Sequence, residues 1–221
     1  EVALYSGDPS TTFTKVGNYF MPPPVGRQCL VNIGGPLAVL TQIGLVPVQA
    51  AVQGIAFDVF AVGNYGKAGP ALKRDLDLYA ANDGWQAIEH QGKVIVNVPM
   101  TATTSRQWVY NYLTGGAWTV WSGVNAAAFC SMPDGLYMGL RADGAVRKLS
   151  GTTDMGQPIT LKAKGAFAAP AGASGVTVNG LRFDIALEGT LEGKIGLDVD
   201  YIERPMTDLA TQSLAQSTAS T

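Results

Sequence analysis

Gln107-Trp-Val-Tyr-Asn-Tyr-Leu-Thr-Gly-Gly-Ala-Trp-Thr-Val-Trp-Ser-Gly123 and, soon after it, Asp134-Gly-Leu-Tyr-Met-Gly-Leu-Arg-Ala-Asp-Gly-Ala-Val-Arg-Lys-Leu-Ser-Gly151 decide how this chain folds. Each stretch is an apolar and aromatic run, a Gly-centred tight turn, and another such run. Gly supplies the positive φ that a tight turn needs, while aromatic and β-branched residues fit a pleated surface. Two hairpins in tandem predict a bladed array of antiparallel sheet.

The same pattern extends outward. Upstream, strand-like runs cover Trp85 to Glu89 and Lys93 to Val98, and before them Val2 to Tyr5, Val16 to Met21, Cys29 to Ile33, Leu37 to Thr41 and Leu45 to Val48. Ala126 to Ser131 lies between the two hairpins, and three further β-rich stretches follow: Ile159 to Phe167, Gly180 to Leu187 and Lys194 to Tyr201. Gly34-Gly35 marks a turn, and Pro22-Pro23-Pro24 a stiff connector outside the ladders. The helical exception is Ala68 to Ala81, where Leu72, Leu76 and Tyr79 recur at helical spacing, so one short helix is predicted near Ala71 to Ala81. Residues 1–204 read as a single β-rich body and residues 205–221 as a polar C-terminal tail. Only Leu209 and Leu214 are bulky and apolar there, so its ordering is expected to need contacts from a neighbouring subunit.

Composition supports this all-β reading. The 221 residues are 47% hydrophobic and only 14% charged, which indicates a packed body, and 27 Gly with 12 Pro favour many short strands. A net charge of −2 argues against gripping nucleic acid by phosphate neutralisation. No uninterrupted apolar run reaches the ~18 residues of a membrane span; Val46 to Val62 comes nearest but contains Gln49, Gln53 and Asp58. Cys29 and Cys130 have no metal-ligand spacing, and buried Cys usually serves as a small hydrophobe.

Catalytic chemistry is sparsely supplied. His90 is the sole histidine, with no Gly-x-Ser-x-Gly elbow before it, and reads as a hairpin-loop residue. Asp75/Asp77 and Asp198/Asp200 read as solvated polar faces, as does the basic group Arg141, Arg147, Lys148, Lys162 and Lys164. No phosphate-cradling Gly-x4-Gly-Lys-Ser/Thr order occurs. No catalytic, cofactor or metal residue is therefore assigned. Trp85, Trp118, Trp121 and Tyr137 are assigned to packing or a subunit interface. Trp118 and Trp121, an odd number apart, point to opposite faces of their strand, one of them into the core.

From Asp83 to Thr160 the series Asp83-Gly-Trp85, Val94-Ile-Val-Asn-Val-Pro99, the two hairpins, and Gly151-Thr-Thr-Asp-Met-Gly-Gln-Pro-Ile159 resembles the β-propeller tail proteins of short-tailed bacteriophages. That family includes nozzle and packaged-DNA stabilisation proteins. Fainter similarity reaches upstream through Pro22-Pro-Pro-Val-Gly-Arg27 and Gly35-Pro-Leu-Ala-Val-Leu-Thr41. The resemblance implies a virion tail protein without enzymatic activity: a ring of subunits, commonly six, that contacts portal or adaptor and other tail proteins. Packaged DNA would pass through its channel without sequence-specific binding. It also implies further blades before residue 1, so the chain reads as part of a longer protein. A carbohydrate-binding or hydrolysing propeller using the tryptophans and an acidic pair is the alternative, and a host receptor-binding tail protein a third.

Overall fold

The computed structural model describes residues 1–54, 69–151, 153–154, 157–163, 190–194 and 211–215. The chain forms two compact units, residues 1–156 and 157–221.

In the first unit, β1 (Val2–Asp8) and β2 (Thr12–Tyr19) form a two-stranded hairpin. Three antiparallel meanders follow in chain order. The first joins β3 (Leu30–Asn32), β4 (Leu37–Thr41) and β5 (Gly44–Pro47). After α1 (Val48–Val52) and α2 (Gly69–Tyr79) comes the second, β6 (Gln86–His90), β7 (Lys93–Pro99), β8 (Ser105–Asn111) and β9 (Ala117–Trp121). The third is β10 (Ala126–Met132), β11 (Gly135–Leu140) and β12 (Val146–Leu149), followed by the two-residue strand β13 (Thr153–Asp154).

The four-stranded meander is apolar on both faces. Val94, Val96 and Val98 of β7 join one core with Val31, Ala38 and Leu40 of the first meander and Leu72 and Leu76 of α2. Ile95, on the opposite face, joins a second core with Val109, Ala126, Phe129 and Leu136. Burial on both sides explains why Val94-Ile-Val-Asn-Val98 is a continuous apolar run broken only by Asn97, rather than an apolar–polar alternation.

Turn chemistry fixes the register of this sheet. His90 pairs with Lys93, leaving Gln91 and Gly92 as a two-residue turn at φ 48° and 77°. Both residues have the positive φ of the turn type whose twist matches the flanking strands. A Cβ on Gly92 would lie 2.2 Å from Leu113 Cδ1, so that exposed leucine packs over the bare glycine and would have to swing aside for any other residue.

In the second unit the described elements are β14 (Gln157–Pro158), β15 (Thr190–Lys194) and β16 (Thr211–Ala215). β15 and β16 pair antiparallel with Leu191 opposite Leu214. Part of the polar tail is thus a strand held by the chain itself, where the sequence led us to expect dependence on a neighbouring subunit. The backbone ladder pairs the main-chain groups of this segment with those of β15. Of the predicted stretch Ile159 to Phe167, residues 159–163 form no strand; the rest of it, Gly180 to Leu187, and all but Lys194 of Lys194 to Tyr201 lie outside the described residues.

Among the described residues the protein is mostly β, with small antiparallel sheets and two short helices rather than one. The extra helix, α1, begins at the last residue of a predicted strand: Pro47, extended at ψ 134°, ends β5, and the chain turns helical at Val48. The expected propeller-like array corresponds to no closed or propeller arrangement among the described residues. Only the β6–β9 sheet there has the four strands of a full blade, and closing a ring takes at least about four such blades.

Candidate functional site

The two faces of the β6–β9 sheet carry different chemistry. On the face toward α2, Trp108, Tyr110 and Trp118 cluster: the Trp118 ring lies 6.5 Å from that of Trp108, edge-on at 72°, and 5.0 Å from that of Tyr110. Trp108 Nε1 donates to Asp75 Oδ2 at 2.8 Å, and the Arg106 guanidinium lies 3.7 Å from the same oxygen. Trp85, 3% exposed, donates its Nε1 to the Tyr79 carbonyl at 2.9 Å and so fastens the end of α2 to the start of β6.

Asp75 therefore does not lie on a solvated face. It is 4% exposed, because Leu72, Asp75, Leu76 and Tyr79 form one stripe of α2 and the indole N–H and guanidinium replace lost water. Asp77 points elsewhere and pairs with Lys73 on the exposed side. Asp198 and Asp200 lie outside the described residues.

On the opposite face, Gln86, Asn97 and Gln107 stand side by side across β6, β7 and β8, in register. All three are buried. Gln86 donates Nε2 to the Phe129 carbonyl at 2.8 Å and accepts from the Phe129 amide at 2.7 Å, so its side chain replaces a missing strand partner for β10. Asn97 Nδ2 donates to the backbone carbonyls of Gly84 and Ala126, and Gln107 Nε2 to the Val124 carbonyl and to Asn97 Oδ1. The Ser105 hydroxyl adds bonds to Val124 and Ala126. Gln107 Oε1 is buried without a hydrogen-bond partner.

Arg141 completes this seam. Its Nε donates to the Ala126 carbonyl at 3.2 Å, and its terminal nitrogens to those of Thr101 and Asp83 at 3.3 and 2.9 Å. Read from sequence as part of a solvated basic face, it is instead a clasp on backbone carbonyls. The five donors of a planar guanidinium suit that task. The seam fixes residues 124–129, where the chain crosses from one sheet to the next.

Of the residues assigned to packing or an interface, Trp85 and Trp118 lie in or against the first core and Trp121 against the second, the two β9 tryptophans on opposite faces. Tyr137 stands apart on β11. Its hydroxyl donates to Asp134 Oδ2 at 2.6 Å, and Lys148, 3.0 Å from the same oxygen, sits 5.7 Å above its ring. Donation from Tyr137, reinforced by Lys148, holds the Asp134 carboxyl below its usual range.

His90 ends β6 rather than lying in a loop, and its Nδ1 is 2.8 Å from Ser131 Oγ. Glu89, the adjacent carboxylate, is engaged with the Gly92 amide and the Tyr112 hydroxyl, so it does not orient the imidazole. Among the described residues no three His, Cys, Asp or Glu side chains are placed to hold a metal ion. Cys29 and Cys130 are free thiols, the first buried and the second exposed. Burial pushes the Cys29 thiol up to about 11. No helix among the described residues is long and apolar enough to cross a membrane.

The aromatic cluster ties α2 to the β6–β9 sheet and the amide seam ties that sheet to β10, and their chemistry is that of rigid coupling. Sequence reading missed the seam because Gln and Asn normally count as surface; the one available signal was Asn97 inside a run that is otherwise wholly apolar. No family model, curated protein or solved structure matches the chain.

Proposed function

We propose that this chain is a structural subunit of a bacteriophage tail, a nozzle or DNA-stabilising component, in which the three meanders are successive blades of a β-propeller. The observation that carries this reading is the order of packing. Each meander follows the last in sequence, and the middle one is buried by neighbours on both faces. Sheets coupled in this way form a stiff wall, and the Gln86–Asn97–Gln107 seam with Arg141 resists shear between two of them.

Copies of the chain would form a ring, commonly of six, around the DNA exit channel, docked to portal or adaptor and other tail proteins. A net charge of −2 suits a wall that DNA slides past, because attractive phosphate contacts would retard its exit. The carbohydrate-binding alternative needs open aromatic platforms, whereas Trp85, Trp118 and Trp121 pack in or against the two cores. The test is sedimentation of the purified chain together with a glycan-array screen. Assembly into a closed oligomer without sugar supports the proposal; a monomer that binds glycans overturns it.

A further inference from the structure

We propose that the outer edge of β9 is a contact through which two copies of this chain pair, strand to strand and antiparallel, about a two-fold axis at Thr119. This inference goes beyond the tail reading and stands on where β9 lies. The first strands of the meanders gather together: β6 packs against both β3 and β10, and Gln28, just before β3, bridges Gln86 in parallel. β9 is at the far side of its sheet from that gathering and pairs with β8 alone among the described residues. A further sheet joining the same gathering, wherever in the chain it comes from, packs beside the first strands and leaves this edge free.

The outer strands of the meanders differ. β5 is four residues long and ends in Pro47, and β12 carries Arg147 and Lys148 in mid-strand; short length, proline and charge all discourage pairing with another chain. β9, Ala117-Trp-Thr-Val-Trp121, has neither charge nor proline, and Ala117, Thr119 and Val120 are exposed, the last at 45%. Trp118 packs against the first core and Trp121 against the second, so this edge is held from both faces. Alternate N–H and C=O groups of its backbone point away from β8. They call for another backbone, because strand addition satisfies them in register.

The order of residues in β9 selects a second copy as the occupant. Antiparallel pairing about Thr119 sets the two Thr119 side chains opposite each other and each Trp118 opposite the other copy's Val120. Threonine pairs and aromatic–β-branched pairs are favourable cross-strand combinations, and no like charges meet. A two-fold contact uses one patch twice and closes with two copies, whereas a ring joins two different patches, so this pairing is independent of ring closure.

The test uses the full chain carrying Cys130→Ser, which leaves the buried Cys29 as its native thiol. Thr119→Cys and Ala117→Cys are each added to it, and cross-linking by a short bismaleimide is followed with time. Pairing about Thr119 holds the two residues 119 about 5 Å apart at Cβ and the two residues 117 about 13 Å apart. Thr119→Cys should therefore be cross-linked about tenfold faster than Ala117→Cys. Thr119→Lys, which sets like charges face to face at an exposed position, should lower the average mass in sedimentation equilibrium toward half that of the unaltered chain, with the melting temperature unchanged. Equal cross-linking at the two positions, no cross-linked pair at either, or a mass that Thr119→Lys leaves unchanged would overturn the proposal.

Discussion

Gln91 is the one non-glycine residue with positive φ among the described residues, and it occupies the β6–β7 turn beside Gly92. A left-handed conformation costs an ordinary L-residue about 1 to 2 kcal/mol, a penalty that Asn and Gly largely escape. Gln91→Asn should therefore raise the melting temperature by a few degrees, since about 1 kcal/mol corresponds to ~2–4 °C in a protein of this size. Gln91→Val should lower it. Thermal unfolding followed by circular dichroism checks both; an unchanged or reversed order would mean that the turn is not of this type. At the same scale, the two thiols should separate cleanly. At pH 8 a thiol reagent should modify Cys130 in the native chain and both cysteines only after denaturation, because Cys29 is buried and its thiolate disfavoured. The raised thiol value also fixes a sign. Its contribution to stability is complete below the unfolded value near 9 and is lost as pH rises through about 11, so alkali should expose Cys29. Rapid labelling of both thiols at pH 8 would contradict its burial.

Among the elements, strands punctuated by glycine were legible, and so was α2. Turn residues and helical spacing are local signals, and Leu72 and Leu76 both end in the first core. Less legible was the environment of polar residues, which depends on what packs above them. Asp75 shares the apolar stripe of α2, yet only the folded chain shows that Trp108 and Arg106 receive it. Likewise Gln86 and Gln107 carry no sign in sequence that β10 will lie across them. The first meander and α2 should each depend on this packing. Leu76→Ala, at a side chain 1% exposed, should cost about 2 to 5 kcal/mol in denaturant unfolding. Gln86→Ala should cost about 1 to 3 kcal/mol, because it leaves the buried amide and carbonyl of Phe129 without that partner. Hydrogen exchange should accelerate at the Phe129 amide in this variant and remain slow at Val94–Val98. Uniform acceleration across both meanders would mean that the seam does not act between sheets.

At the scale of the molecule, the sequence conveyed the class of fold and the succession of meanders, because both follow from local patterning. Closure into a propeller did not follow, since it depends on blade number and on curvature accumulated over the whole chain, neither of which a hairpin motif encodes. The central claim concerns an assembly: coupled meanders make a stiff wall, and copies of that wall surround a channel. Electron-microscopic imaging of the native assembly, with the chain located by a label on exposed Cys130, tests it most directly. The account predicts a closed ring of copies around an open central channel, formed without added sugar; solitary monomers, or copies joined with no axial passage, would contradict it.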